Sequence, residues 1–208
     1  MSMPSLPEIT FQAVSFGFED EQILQRCSFR APAAQHTILK GESGSGKSTI
    51  LQLILGYYQP QVGQIMVNNN PRQPRDLRKQ SSWLPQDLDI GDGSVRDVMA
   101  TPFDFAANTS QKPSVTTQQE VWQKLGLELG LLDKKFRNLS TGQRQRVGLA
   151  LCHLLDKSLV LLDEPTSSLD RASKQKVAEL LLDHNRTIIS TSHDPFWVDL
   201  GDNLIELD

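Results

Sequence analysis

Cysteine is almost missing from this sequence. The 208 residues hold two, Cys27 and Cys152, far apart and outside any C-x-x-C spacing. That argues against a thiolate metal site and leaves two small hydrophobes suited to a reducing compartment. An excess of basic charge is also missing: 21 Lys and Arg face 25 Asp and Glu, a formal net charge of −4. Gripping a phosphate backbone calls for a basic surface, so nucleic acid is not the expected main partner, although a local basic patch is not excluded. Long apolar runs are absent as well. A membrane helix needs ~20 mostly apolar residues. The longest candidate here, residues 159–162, suits a buried strand. Residues 1–10 lack the basic start and apolar run of a signal peptide. Any action at a membrane is therefore expected to run through a partner.

What is present is a chain with 38% hydrophobic residues, enough for a core, and a length that suits one domain or one domain with a sub-lobe. Alternation sets Ile9, Phe11, Ala13 and Ser15 on one side of a strand and Thr10, Gln12, Val14 and Phe16 on the other. A polar turn, Glu19-Asp20-Glu21, leads to a second strand over 23–31. Further strands are expected at 37–39, 63–67, 81–84, 159–162, 187–190 and 204–207. Helices are expected at 48–55, 141–155 and 173–183, with helical patches at 95–99 and 118–132 in a polar stretch from 87 to 137. Strands alternating with helices imply a mainly parallel sheet covered on both faces. The basic cluster Arg72, Arg75, Arg78 and Lys79 reads as a solvated helix face, with contact to phosphate or an acidic partner as the alternative.

Two motifs carry chemistry. Gly41-Glu42-Ser43-Gly44-Ser45-Gly46-Lys47-Ser48 fits the P-loop pattern G-x-x-x-x-G-K-[ST], between an expected strand and an expected helix. Glycines let the backbone curl so that N–H groups point at phosphates, and the helix N-terminus beyond, from Ser48 and Thr49, adds partial positive charge. Lys47 is placed to bridge the β- and γ-phosphates, and the Ser48 hydroxyl to ligate Mg2+. The second motif is Asp163-Glu164, closing the apolar strand Leu159-Val160-Leu161-Leu162. Ends of parallel strands line the ligand crevice. There Asp163 would hold Mg2+ and Glu164 would polarise an attacking water. Alone, that pair is equally an exposed acidic turn; the upstream P-loop and the following Pro165-Thr166-Ser167-Ser168-Leu169-Asp170 favour function.

Leu139-Ser140-Thr141-Gly142-Gln143 closely resembles the LSGGQ signature of ABC ATPases, and Arg144-Gln145-Arg146 continues it. Gln86 matches the Q-loop, Ser168-Leu169-Asp170 the D-loop, and Ser192-His193-Asp194 the switch histidine, all in the family's order over nearly the whole chain. On these residues the chain is identified as a member of that family. The resemblance implies an α/β P-loop NTPase with a RecA-like core sheet, an N-terminal antiparallel β subdomain and an inserted helical subdomain. It implies one domain, with residues 1–86 and 156–208 as the nucleotide-binding core and 87–155 as the helical part. It also implies ATP and Mg2+ as ligands, hydrolysis of ATP, a head-to-tail dimer with a second copy of the chain, and a separate transmembrane permease. The place of work would be the cytoplasmic face of the inner membrane, as a peripheral subunit.

In that scheme each ATP site is composite. Lys47, Ser48, Gln86, Asp163, Glu164 and His193 come from one chain, Ser140, Thr141, Gly142 and Gln143 from the other, and Asp170 lies across the seam. Gln86 is expected to touch Mg2+ or the attacking water and to link the core to the helical insert, and His193 to contact the γ-phosphate; outside this context Ser140 is an ordinary helix cap and His193 a surface or capping residue. Phe18 stands where the family stacks an aromatic on adenine, and Phe16 is expected in the core. Two positions depart from the pattern: Thr141 replaces the first signature glycine, and Leu151 replaces a frequent arginine. Residues 87–97 are the expected coupling surface, and residues 91–98 faintly resemble small bacterial metal-export ATPases. Relatives that act on nucleic acid or ribosomes carry long insertions, zinc modules or paired motors, for which 208 residues leave no room.

Overall fold

The structure is a computed structural model that describes residues 6–19, 21–182 and 185–207. The turn residue Asp20 and the expected helix end at Asp183 lie outside the described residues. Two sheets organise the chain. Strands β1 (Ile9–Phe18), β2 (Glu21–Ala31), β4 (Val62–Val67) and β5 (Asn70–Pro71) form an antiparallel sheet in the order β2-β1-β4-β5. Strands β3 (His36–Gly41), β6 (Ser81–Leu84), β7 (Leu159–Asp163), β8 (Thr187–Thr191) and β9 (Asn203–Leu207) form a parallel sheet in the order β6-β7-β8-β3-β9. The helices are α1 (Lys47–Leu55), α2 (Pro74–Lys79), α3 (Val95–Ala100), α4 (Val115–Lys124), α5 (Thr141–Leu154), α6 (Arg171–Leu181) and α7 (Pro195–Val198).

The parallel strands are apolar on both sides because both sides are covered. Side chains alternate along a strand. Leu159, Leu161, Leu39 and Ile189 enter one core with α1 and the antiparallel sheet. Val160, Leu162, Ile38 and Ile188 enter another with α5, α6 and the helical segment between β6 and β7. Full burial of one such side chain contributes roughly 1.5–3 kcal/mol, so strand β7 alone anchors both layers.

Strand β1 does not keep the simple alternation of its sequence. Ile9 and Phe11 are buried, and so are Val14 and Phe16. Ala13 adopts φ 49, and the pairing with β2 shifts register between Phe11 and Val14. This bulge adds one residue and switches which parity faces inward. The pairing with β4 shifts as well, between Gln12 and Ser15. Gly63 of β4 packs against the bulge: a Cβ there would sit 2.3 Å from the Ala13 carbonyl oxygen.

The expected helical patch over 118–132 is two pieces. Helix α4 ends at Lys124, Gly126 turns left-handed at φ 63, and a 3-10 turn follows at Leu129–Leu131. Three members of the basic cluster bond within the chain, and Arg75 is exposed. Arg72 Nη2 donates to Gln59 Oε1 (2.7 Å), Arg78 Nη1 to the Leu55 carbonyl at the end of α1 (2.8 Å), and Lys79 pairs with Asp76 at 3.1 Å. Leu151, where the family often has arginine, is buried in the core. Cys152 is buried, its thiol pushed up to about 12 by burial, whereas Cys27 is only half-buried. Among the described residues no helix is long and apolar enough to cross a membrane.

Candidate functional site

At the C-terminal ends of β3 and β7 the chain encloses a cavity of about 580 Å³, within the range of small-molecule sites. Its wall holds Gly41, Glu42, Ser43, Gly44, Gly46, Lys47, Ser48, Thr49, Gln86, Asp163, Glu164 and His193, together with Glu21, Ile23 and Ser167. Twelve of the expected site residues thus meet in one place. Ser45 does not line it; its hydroxyl is buried and finds no partner. Phe18 does not line it either. Phe18 is 43% exposed, opposite Glu21 in the β1–β2 hairpin, with its ring edge-on to Tyr58 at 5.1 Å. Phe16 is buried as expected.

The loop between β3 and α1 is shaped by its glycines. Gly46 caps α1 with φ 87, a conformation that costs other residues about 1 kcal/mol or more. A Cβ there would also meet Leu24 Cδ2 at 2.8 Å. Helix α1 therefore starts with its N-terminal N–H groups turned to the cavity, an arrangement suited to an anion. Lys47 Nζ folds back over the loop, donating to the carbonyls of Gly41 (2.8 Å) and Glu42 (2.7 Å).

The acidic strand end is held from several sides. Thr191 Oγ1, on neighbouring β8, donates to Asp163 Oδ1 (2.7 Å) and accepts from the Glu164 N–H (2.9 Å). Glu164 has φ 49, a left-handed backbone that costs a non-glycine residue on the order of 1–3 kcal/mol and persists only when its surroundings impose it. They do. The Glu164 carbonyl accepts from Gln145 Nε2 (2.7 Å) and from the Ser167 hydroxyl (3.1 Å). The carboxylate itself is 9% exposed: Oε1 lies 3.0 Å from His193 Nδ1, and Oε2 is buried without a partner. A buried carboxylate oxygen left unpaired is costly, a cost relieved only when a donor reaches it.

The residues present fit a Mg2+ ion. Among the described residues no group of three or more His, Cys, Asp or Glu forms a metal cage. Mg2+ does not need one, since it takes one or two carboxylates and completes its shell with water and substrate phosphate oxygens. Asp163, the Ser48 hydroxyl and the Gln86 amide supply oxygen donors of that kind in one cavity wall.

Ser140, Thr141, Gly142, Gln143 and Asp170 do not line this cavity. Ser140 opens α5 with a reciprocal cap: its Oγ accepts from the Gln143 N–H (3.2 Å), and Gln143 Oε1 accepts from the Ser140 N–H (3.0 Å). Thr141 is exposed. Gly142 lies against the D-loop, where a Cβ would sit 2.8 Å from the Ser168 carbonyl oxygen. Asp170 caps α6, accepting from the Ser173 N–H (2.7 Å), and that bond holds its carboxyl below the ordinary range. Gln145, singled out by no sequence argument beyond its place in the signature run, joins these parts. Besides its bond to Glu164 it accepts from the Ser168 N–H (3.1 Å), tying the signature helix to the turn that carries the glutamate.

A parallel sheet, a glycine-shaped loop running into a helix and an acidic strand end on one cavity define a P-loop nucleotide-binding domain. Residues 24–167 match the family model described as ABC transporter. The chain belongs to that family and carries its ATP-binding domain. It is 34% identical, over 91% of its length and 74% of the relative's, to the energy-coupling factor transporter ATP-binding protein EcfA1 of Staphylococcus epidermidis. It is 32% identical to the ATP-dependent lipid A-core flippase of Haemophilus ducreyi, covering 96% of this chain and 36% of that protein. The solved structure of a bacterial Atm1-family ABC exporter with ATP bound matches 97% of this chain and 37% of that one, at a TM-score of 0.84 and 26% identity. The chain thus spans about a third of the length of several relatives and most of EcfA1.

Proposed function

We propose that this chain binds and hydrolyses ATP to drive transport by a transmembrane partner, as a peripheral subunit on the cytoplasmic face of the membrane. The observation that carries the reading is the meeting of the P-loop, Asp163, Glu164, Gln86 and His193 on one cavity, with Glu164 Oε1 3.0 Å from His193 Nδ1. Glu164 accepts a proton from the attacking water. The new bond forms at the γ-phosphorus and the bond to the β–γ bridging oxygen breaks, giving ADP and phosphate. Lys47 exchanges its two carbonyl contacts for phosphate oxygens, and the N–H groups of the loop and of α1 cradle the same charge. His193, next to Glu164, contacts the γ-phosphate. Bound Mg2+ would neutralise developing phosphate charge, with Ser48, Asp163 and Gln86 as its holders.

The signature residues sit outside the cavity, which supports a composite site completed by a second copy of the chain. The Ser140 hydroxyl oxygen is occupied as a cap acceptor, and its hydrogen remains available to donate to a phosphate on the partner. Gly142 and Gln143 stand beside it at the helix N-terminus, and Asp170 lies at the seam. Residues 87–155 form the helical subdomain, and residues 87–97 the surface for a separate permease. The likeness to EcfA1, whose name is that of an ATP-binding protein, favours a permease on another chain.

Glu164→Gln tests the reading. ATP binding should persist while turnover falls about 10²–10⁴-fold, the scale of a lost general base. The variant should also accumulate an ATP-bound dimer on gel filtration. A variant that turns over normally, or stays monomeric with saturating ATP, overturns the base or the composite site respectively.

A further inference from the structure

The residue after the switch histidine is tied to the rest of the molecule in an unusual way. Asp194 begins α7, and its Oδ1 accepts from the Phe196 N–H (3.2 Å). Its Oδ2 accepts from two further donors, the Thr166 hydroxyl (2.8 Å) and the Lys174 ammonium (2.7 Å). Thr166 is fully buried, two residues beyond Glu164. Lys174 lies on α6, one turn from the Asp170 cap, with its side chain 21% exposed. One carboxylate therefore joins the loop that carries His193, the turn that carries Glu164 and the helix that starts at the D-loop.

An exposed ion pair contributes little, about 0–1 kcal/mol. This pair differs in setting. The Asp194 side chain is only 13% exposed and takes donors from three segments. Burial alone would push its carboxyl up; the Lys174 and Thr166 hydrogen bonds and the Lys174 charge outweigh that and hold it below the ordinary range. The ring it serves has little packing of its own. Apart from its contact with Glu164 Oε1, the His193 side chain is 74% exposed, so the backbone on either side governs where the imidazole stands. On one side that backbone is the fully buried Ser192, whose Oγ accepts from the Asp194 N–H (3.1 Å). On the other it is Asp194 itself.

We propose that Lys174 is a positioning residue for ATP hydrolysis: through Asp194 it sets the His193 loop against the Glu164 turn. The proposal rests on the assignment of His193 to the hydrolytic site made above. A change at Lys174 acts on the geometry of the reacting groups and leaves the phosphate cradle, on the other side of β8, as it was. Because Lys174 belongs to the helix capped by Asp170, a displacement of that helix would be passed to His193 by the same pair.

The test compares Lys174→Glu, Lys174→Gln and Lys174→Arg in the full chain, each alone and combined with His193→Ala. Steady-state phosphate release gives kcat and KM, and a fluorescent nucleotide gives the dissociation constant. Lys174→Glu replaces the 2.7 Å ion pair with like charges and should lower kcat about tenfold or more, with KM and nucleotide affinity within about twofold. Lys174→Gln should fall between, and Lys174→Arg should keep the rate within about twofold. In the His193→Ala background Lys174→Glu should add less than about twofold, since residues acting as one unit are not additive. Wild-type kcat in both Lys174→Glu and Lys174→Gln sinks the proposal. So does an undiminished further loss in the His193→Ala background, or a fall in affinity that matches the fall in rate. Should His193→Ala alone turn over at the wild-type rate, the role of His193 fails first, and the proposal goes with it. If Lys174→Glu does not fold, the Gln and Arg variants decide by the same criteria.

Discussion

The imidazole Nδ1 of His193 lies 3.0 Å from Oε1 of Glu164, joining a side chain that is 74% exposed to one that is 9% exposed. The two follow directly on the neighbouring parallel strands β8 and β7, which end at the same level of the sheet with Asp163 opposite Thr191. Parallel register therefore delivers the pair to one wall of the cavity. Around it, Thr191, Gln145 and Ser167 hold the Glu164 backbone in a conformation it would not choose alone.

Lys47→Ala should weaken ATP binding about tenfold or more, the scale of one lost charge-assisted contact to phosphate. The fold should survive, because the bonds given up are two carbonyl contacts at the surface of the loop. Isothermal titration with MgATP measures this, and unchanged affinity would remove the lysine from the phosphate site.

Phe18→Ala should cost about 1–3 kcal/mol in ATP binding, as for one stacked base, and Phe18→Trp should restore it. The prediction is exacting, since the ring stands beside the cavity and outside its wall. If the alanine variant binds ATP as the wild type does, the platform lies elsewhere, and Tyr58, whose ring is 5.1 Å from that of Phe18, becomes the next position to test.

Gly142→Ala places a methyl 2.8 Å from the Ser168 carbonyl oxygen, so helix α5 and the D-loop must part. Overpacking of this kind costs about 1–3 kcal/mol. Turnover should drop while nucleotide binding by the single chain stays within about twofold, because the cradle is untouched. Equal losses in both would show that the strain spreads through the core.

His36 makes stability depend on pH. Burial lowers its pKa from the ordinary 6.5 to about 4, while Nδ1 lies 3.3 Å from the Leu200 carbonyl and Nε2 2.8 Å from Ser190 Oγ. Above pH 6.5 the ring is neutral whether the chain is folded or not. Below that the unfolded chain takes up a proton that the folded chain refuses, so stability is lost as pH falls from about 6.5 through about 4. The full loss is about 3 kcal/mol. Urea unfolding at pH 7 and pH 4.5 should show a steeper decline for the wild type than for His36→Gln. Parallel declines would assign the acid sensitivity to carboxylates.

The sequence made the P-loop and the acidic strand end legible because their chemistry is local. Glycines, Lys47 and Ser48 act within eight residues, and Asp163 and Glu164 simply follow an apolar strand. The supports of the site were not legible. Thr191 reaches Asp163 across 28 residues, and Gln145 reaches Glu164 across 19, contacts that only the packed sheet creates. Helix α7, at four residues, was too short to leave a periodic signal. In β1 the alternation was real on each side of Ala13, but pairing with two neighbours imposed a bulge that the side chains do not announce. Over 118–132 the apolar spacing suggested one helix, and Gly126 divided it.

That bulge leaves a mark on how this sheet can vary by descent. The Ala13 backbone protrudes so close to position 63 that a side chain there would collide with it, and the protrusion is what keeps Val14 and Phe16 inside. Lengthening the side chain at 63 and deleting a residue near 13 are each harmful alone. The first collides with main chain, and the second turns two core residues out to water. Drift at either place is therefore tethered to the other, and the hairpin that bears Phe18 can be remodelled only by changes that arrive together.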